Sequence, residues 1–275
     1  SAEQRQEILP EVVRGQHTLA LALEEGFHHN PLQTSLAAIS DADGFLLNGR
    51  KTFVIDGHCA DSLIVVARVS GQPGESQGLT LFLVDAKTPG VTRTRTRTMD
   101  ERNVANISFD GVRVGADGMI DEVNAGWKTL EPVLDAGRIL LAAEMLGGIC
   151  ECFDRTVEYL KEREQFGVKI GSFQALKHRA AHLFAEIELS KAVVQAGLSA
   201  LDEGSDQVPL LASLAKARLN ELYKRVTNEA VQLHGGIGVT DELDIGLFLK
   251  RARVAMQMLG DSSYHNDRFA RLSGY

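Results

Sequence analysis

A change of hydrophobic period near Gly126 constrains the fold of this chain more than any other feature. Before it, apolar residues come in short runs such as Leu63-Ile64-Val65-Val66-Ala67 and Leu79-Thr80-Leu81-Phe82-Leu83-Val84, separated by the loop Gln72-Pro73-Gly74-Glu75-Ser76-Gln77-Gly78. Runs of that length, bounded by Gly, Pro and Ser, read as buried strands. Asn48-Gly49, between Phe45-Leu46-Leu47 and Phe53-Val54-Ile55, carries a hairpin signal. After Gly126 the apolar positions fall at helical spacing, as in Leu176, Ala180, Leu183 and Ile187. The predicted fold is therefore α+β: an antiparallel β-barrel or sandwich over residues 16–120, then an antiparallel four-helix bundle over 121–275. Residues 1–15 read as a short helix with Pro10 and a Gly15 stop.

Val91 to Thr98 alternates threonine with Arg93, Arg95 and Arg97, which puts three arginines on one strand face. An edge-guarding or solvated face accounts for this better than a phosphate site. Composition narrows the function classes. With 275 residues, net charge −8 and no basic block, nucleic acid is not expected as a partner. No apolar run reaches membrane-spanning length, and no secretory leader pattern opens the chain. Cys59, Cys150 and Cys152 form neither a disulfide framework nor a metal spacing, so they read as reduced thiols of a cytoplasmic protein. His28-His29 has no third ligand in view, and no metal is expected.

Two stretches stand out for chemistry. In Arg163 to Gln174, Phe166-Gly167 breaks one helix and Gly171-Ser172 opens the next, with Ser172 as its cap. The corner also gathers a guanidinium suited to phosphate, an aromatic face and an amide. The second stretch, Gln232-Leu233-His234-Gly235-Gly236-Ile237-Gly238, alone reads as a helix stop and turn.

Together, Arg-x-x-Phe-Gly-x-x-Ile-x-x-Phe-Gln and Gln-Leu-His-Gly-Gly-x-Gly resemble the acyl-CoA dehydrogenase family. The resemblance extends over nearly the whole chain. It implies an FAD-dependent oxidation of the Cα–Cβ bond of an acyl-CoA, in a dimer of dimers that shares FAD sites. Electron-transfer flavoprotein is the implied acceptor. Family members place a helical domain of roughly a hundred residues before residue 1, and the expectation is that this domain is absent here.

The resemblance implies that Arg163, Phe166, Gln174, Gln232, Gly235 and Gly236 hold the ADP half of a neighbouring subunit's FAD. Phe53 falls where the family keeps a tryptophan against the flavin ring, and Arg138 matches an arginine near the acyl-CoA. Elsewhere the chain departs from its relatives. Glu24 stands where they carry a threonine hydroxyl, and Ile55 where they carry a second one. An anionic Glu24 opposes a flavin that becomes negative on reduction. The two positions where relatives place the catalytic glutamate hold Leu259 and Gly137. Asp261 is the candidate replacement base, although a helix cap accounts for it better. Asp135 and Glu144 lie near in sequence, and Glu144 reads as a structural carboxylate.

Two readings follow. One is an independently active dehydrogenase with a non-standard base. The other, which the departures favour, is the non-catalytic partner in a heteromeric dehydrogenase; the resemblance by itself leaves a homo- or hetero-oligomer open. Bacterial relatives acting on steroid side chains or other bulky acyl-CoAs include such paired subunits. A flavin oxidase or monooxygenase on the same scaffold fits less well.

Overall fold

A computed structural model describes all residues 1–275. The chain divides into two compact units, Ser1–Glu131 and Pro132–Tyr275.

The first unit opens with α1 (Ala2–Val13). Its N-terminus is closed by a capping box between Ser1 and Gln4, and Gln4 Nε2 also donates to the carbonyls of Asp117 and Met119 at 2.8 and 3.2 Å. The strands follow: β1 (Leu19–Ala22), β2 (Ala37–Asp41), β3 (Gly44–Ile55), β4 (Ser62–Arg68), β5 (Leu79–Asp85), β6 (Val91–Arg97), β7 (Asn103–Gly115) and β8 (Met119–Ile120). They form one eight-stranded sheet in the order β6-β7-β3-β2-β4-β5-β8, with β1 on β4. The sheet is mixed rather than wholly antiparallel, because β1 and β2 both pair with β4 in parallel. Its core is built from Leu47, Val54, Leu63, Val65, Phe82, Ile107, Phe109 and Val112, all buried.

Asn48-Gly49 is not a hairpin turn. Strand β3 runs straight through it, held by β2 on one side and β7 on the other, and Gly49 marks a register shift. Asn48 Oδ1 accepts from the Gly111 amide at 2.8 Å. A Cβ at Gly49 would lie 2.9 Å from the Leu36 side chain, so the glycine serves close packing. The reversal lies earlier, at Ala42-Asp43.

The Thr-Arg strand is an edge, as expected: β6 pairs with β7 alone. Arg93 and Arg95 stand opposite Ile107 and Ala105, on the face that carries the core. Arg93 is half-buried and Arg95 exposed, and charge along an edge strand guards it against further pairing. Arg93 Nη1 is drawn to the Ala60 carbonyl at 3.0 Å.

The second unit is helical. It comprises most of α2 (Gly126–Glu162), a small hairpin of β9 (Glu164–Gln165) and β10 (Val168–Lys169), then α3 (Gln174–Glu203), α4 (Val208–His234), α5 (Ile245–Gln257) and α6 (Ser262–Leu272). Four helices make the bundle and α6 adds a fifth against α4. Its core joins Leu141, Met145 and Ile149 of α2 to Leu183 and Ile187 of α3, Leu219 and Val226 of α4, and Ala252 of α5. Gly148 lets the Tyr223 ring approach, since a Cβ there would lie 2.3 Å from the phenol oxygen. No helix is long and apolar enough to cross a membrane.

Candidate functional site

The corner that ends α2 is built differently from a simple helix stop. Phe166 and Gly167 both have positive φ, 55° and 77°, and form the two-residue turn of the β9–β10 hairpin. Such a turn suits the twist of paired strands, but positive φ is unusual for a bulky aromatic. The hairpin is fastened by Lys169 Nζ to Glu164 Oε1 at 2.7 Å and by the Ile170 amide to the Arg163 carbonyl at 2.8 Å. It holds the Phe166 ring 91% exposed, with its edge toward Phe173 at 6.2 Å between centroids. A strained residue that exposes a large ring is a candidate for contact with a ligand.

Ser172 does not cap α3; its hydroxyl donates to the Lys169 carbonyl at 2.7 Å. The cap position falls to Phe173, and no side chain caps this end. The positive end of α3 is therefore open beside Gln174, a setting that favours anions. The side chains of Arg163 and Gln174 are exposed and make no hydrogen bond or ion pair.

Helix α4 runs antiparallel to α3, so its C-terminus returns to the same end of the bundle. His234 is buried there, stacked on Tyr159 of α2 at 4.3 Å, and Tyr159 donates to the His234 carbonyl at 3.2 Å. His234 Nδ1 meets the Ala230 carbonyl at 2.7 Å, and burial lowers the imidazole pKa. This stack ties the end of α4 to the end of α2, and sequence reasoning missed it; an aromatic near a helix end is too common a pattern to signal it. Gln232 is exposed and makes no side-chain contact. A Cβ added at Gly235 or Gly236 would meet nothing within 4 Å, so backbone lies open to a ligand there. Gly238 is structural: its Cβ would lie 2.8 Å from the Val231 carbonyl. All six residues of the expected ADP grip thus lie at one end of the helical unit.

In the first unit, Phe53 sits at a bulge of β3, between the pairs Lys51–Ile107 and Val54–Ala105, with φ of 50°. Its amide donates to Asn106 Oδ1 at 3.3 Å. A bulge re-aims the side chain it carries. The segment 23–26 docks on this bulge. The Thr52 amide donates to the Glu24 carbonyl at 2.7 Å, and fully buried Lys51 donates to the Leu23 carbonyl at 2.9 Å and to Glu25 Oε1 at 2.7 Å. Burial lowers the Lys51 pKa to about 8, against the pull of Glu25. Glu25 also accepts from Ser35 and the Leu36 amide. Glu24 points its carboxylate at His29 Nδ1, so the anion that replaces the expected hydroxyl has a partner. That pairing was missed because two adjacent histidines read as loop.

The positions where a catalytic glutamate was expected meet in space: a Cβ built at Gly137 lies 3.1 Å from Leu259 Cδ1. Leu259 has φ of 56° and Gly260 of 113°, which makes a sharp turn between α5 and α6. Asp261, the candidate base, is the N-cap of α6; its carboxylate accepts from the Tyr264 amide at 2.9 Å. Glu144 pairs with Arg251 at 2.6 Å.

Arg138, expected near substrate, is fully buried. It donates to Asp135 Oδ1 at 2.7 Å, to the Leu259 carbonyl at 3.3 Å and to the Tyr264 hydroxyl at 3.2 Å. Asp135 also accepts from Arg268 at 2.9 Å. The guanidinium is thus part of a buried ion network rather than a surface that a ligand could touch. Beside it, Lys216 Nζ donates to Asn220 Oδ1 at 2.7 Å and to the carbonyls of Ala255 and Gly260 at 3.0 and 3.1 Å. Burial, then the neighbouring Arg138, lowers its pKa to about 7.

Comparison with known proteins accords with these parts. Residues 23–112 match the family model of the acyl-CoA dehydrogenase middle domain, and residues 124–273 that of the C-terminal domain. The chain is 30% identical over 256 residues to the caffeyl-CoA reductase–Etf complex subunit CarC of Acetobacterium woodii, covering 92% of this chain and 67% of that one. It is 45% identical over 126 residues to the acyl-CoA dehydrogenase IpdE2 of Mycolicibacterium smegmatis, covering 46% and 39%. A crystal structure of an acyl-CoA dehydrogenase from Geobacillus kaustophilus superposes with a TM-score of 0.95 at 28% identity, over 100% of this chain and 73% of that one. The chain spans about two thirds of the length of the relatives it matches. An open-ended α3, a glycine-lined end of α4 and a bulged strand bearing Phe53 are thus set in two matched domains, and the chain belongs to the acyl-CoA dehydrogenase family.

Proposed function

We propose that this chain is an FAD-linked acyl-CoA dehydrogenase subunit that lends contacts to the ADP half of a flavin seated against a sister subunit, and does not itself abstract the substrate proton. The observation that carries this is a contrast within the helical unit. Arg163, Gln174 and Gln232 keep their donors unspent at one end, while Leu259 lies against Gly137 at the locus where a carboxylate would be needed.

The residues fit the ADP half of FAD. A guanidinium suits a diphosphate, the open end of α3 adds favourable dipoles, and Gly235 and Gly236 let backbone approach. Phe166 offers an apolar face and the two glutamines offer amides to polar edges. The flavin-ring side fits less well, since Glu24 presents an acceptor paired with His29 in place of a hydroxyl donor. Bound FAD supplies the hydride-accepting chemistry for Cα–Cβ oxidation. What this chain contributes is orientation. Removal of an α-proton needs a positioned base, and a leucine side chain accepts no proton. The base, and the acyl-CoA pocket with it, are assigned to the sister subunit.

The assembly we propose is a homo- or hetero-oligomer, a dimer of dimers, with electron-transfer flavoprotein as the acceptor; a relative that is a subunit of a reductase–Etf complex supports the acceptor alone. FAD content and acyl-CoA turnover of the natural polypeptide, alone and with its neighbouring-gene paralogue, test the proposal. The expected result is turnover only in the mixture, with FAD lost from the assembly on Arg163→Ala or Gln174→Ala. Near-stoichiometric FAD and turnover by this chain alone would overturn it in favour of an unrecognised base.

A further inference from the structure

The peptide between His234 and Gly235 ends α4 and begins the glycine-lined backbone, and it is held at both of its polar groups. Its carbonyl, one of the last four of α4 and so without an intrahelical partner, accepts from the Tyr159 hydroxyl at 3.2 Å. Its N–H donates to the Gln232 carbonyl. The imidazole beside it is fixed as well. It is 5% exposed, stacks on the Tyr159 ring at 4.3 Å, and meets the Ala230 carbonyl through Nδ1 at 2.7 Å. A carbonyl only accepts, so Nδ1 carries the ring proton. The following turn closes on the same residue, since a Cβ at Gly238 would lie 2.9 Å from His234 Cβ. From this anchored peptide the chain leaves Gly235 with φ of 67° and ψ of −144°, a region open in practice to glycine alone. Beyond it the packing stops: a Cβ at Gly235 or Gly236 would meet no atom within 4 Å.

We propose that Tyr159 and His234 are positioning residues for the ADP half of the flavin: they fix the Gly235-Gly236 backbone in the conformation that receives it, and supply no group to the ligand themselves. The inference rests on the ADP grip proposed above. Its physical content is preorganisation. Glycine loses more conformational freedom on ordering than any other residue, and a free glycine pair would pay that loss each time the ligand bound. Here the loss is met on folding, because the hydroxyl bond and the ring stack fix the residue from which the pair departs. Tyr159 stands on α2, four residues before Arg163, so one helix end both carries the guanidinium and anchors the glycines.

FAD binding to the natural protein in its assembly, stripped of flavin and titrated by flavin fluorescence, tests this. Hydrogen–deuterium exchange over residues 233–238 gives a readout that needs no flavin. Tyr159→Phe keeps the ring and removes only the donor. It is expected to weaken FAD about fivefold and to quicken exchange over 233–238. Gly236→Ala covers the backbone and is expected to weaken FAD by itself. In that background Tyr159→Phe should add little, whereas it should add in full to Arg163→Ala. A tyrosine that merely held the bundle together would lower FAD affinity by the same factor in every background, and that result would overturn the positioning role. So would unchanged exchange over 233–238, or a loss of FAD in Arg163→Ala and Gly236→Ala that Tyr159→Phe does not share; either leaves the ADP grip standing. If neither Arg163→Ala nor Gly236→Ala weakened FAD, the grip itself would fail, and the positioning role with it.

Discussion

Asp135→Asn is expected to be among the most damaging isosteric changes in the helical unit. The carboxylate is 1% exposed and answers two guanidiniums, Arg138 through Oδ1 at 2.7 Å and Arg268 through Oδ2 at 2.9 Å. Asparagine keeps the shape but removes the charge, which leaves two buried cations facing an uncharged amide. Breaking a buried pair by removing one partner costs about 3–5 kcal/mol, chiefly through the stranded charge. Arg268 keeps its bonds to the Pro209 carbonyl and the Ser213 hydroxyl, and Arg138 keeps Leu259 and Tyr264, so backbone and hydroxyl acceptors offset part of the loss. That places the expected cost near the lower end, about 3 kcal/mol, a large share of the roughly 5–15 kcal/mol that holds a domain together. Urea titration followed by far-ultraviolet circular dichroism reads the helical unit, with Glu188→Gln as the control. Glu188 and its partner Lys191 are both about half exposed on α3, so its loss is expected to cost under about 1 kcal/mol. If Asp135→Asn fell within about 1 kcal/mol of the natural protein, the network would not be held by that charge, and the account of Arg138 as a structural residue would fail.

Lys216 makes stability depend on pH. Its folded pKa of about 7 lies below the ordinary lysine value, so between the two the unfolded chain holds a proton that the folded chain has lost. Stability therefore rises with pH in that window, on the order of 1 kcal/mol from about pH 7 to 8.5. Lys216→Met should remove most of the rise in the helical signal, and a flat urea midpoint in the natural protein would refute the linkage. The window stops short of higher pH because Cys152, pushed up to about 12 by burial, acts in the opposite sense. Gly238→Ala puts a Cβ 2.8 Å from the Val231 carbonyl and 2.9 Å from the His234 Cβ. A cost of roughly 1–3 kcal/mol is expected, read as a lower thermal midpoint together with weaker FAD retention by the assembly. Leu259→Glu, alone or with Glu24→Thr, is expected to leave acyl-CoA-dependent dye reduction by this chain at background, because the acyl-CoA pocket is assigned to the sister subunit. Full turnover from the single variant would show that the ring side was never deficient.

The large divisions of this protein can be read from its sequence because they rest on periodicity. The switch from short apolar runs to helical spacing at Gly126 falls where α2 begins. The ends of elements were harder. Asn48-Gly49 carries the composition of a turn, yet it lies inside a strand paired on both sides, where tertiary pairing overrides local propensity. Ser172 has the composition of a cap and is not one, because the residues before it first make a hairpin and then a tight 3₁₀ turn. The residues proposed for the ADP grip are legible as motifs because each would have to offer an unspent group in a set order. The buried network around Asp135 is not, since its members lie on α2, α4 and α6 at separations set only by packing. Arg138 and Asp135 are three apart on one helix and could have been paired from sequence; Arg268 and Lys216 could not.

The missing base also looks different once the side chains are placed. In sequence, Gly137 and Leu259 are two separate vacancies, 122 residues apart, as if two events had removed two carboxylates. In the fold they are one locus, because a Cβ at 137 would touch the Leu259 side chain at 3.1 Å. A glutamate from α2 or one from the α5–α6 turn would reach the same point, and two together would force like charges into contact. One carboxylate is therefore the most this locus can hold. Here a leucine fills the space from one side while glycine yields it from the other. The turn that carries Leu259 is held by Arg138 and His265 through the Leu259 carbonyl and by Lys216 through that of Gly260. These bonds run to backbone, so they do not depend on which side chain stands at 259. The scaffold of the locus can thus persist whichever side chain stands at 259, which accords with the proposed role of a subunit that lends contacts to its neighbour.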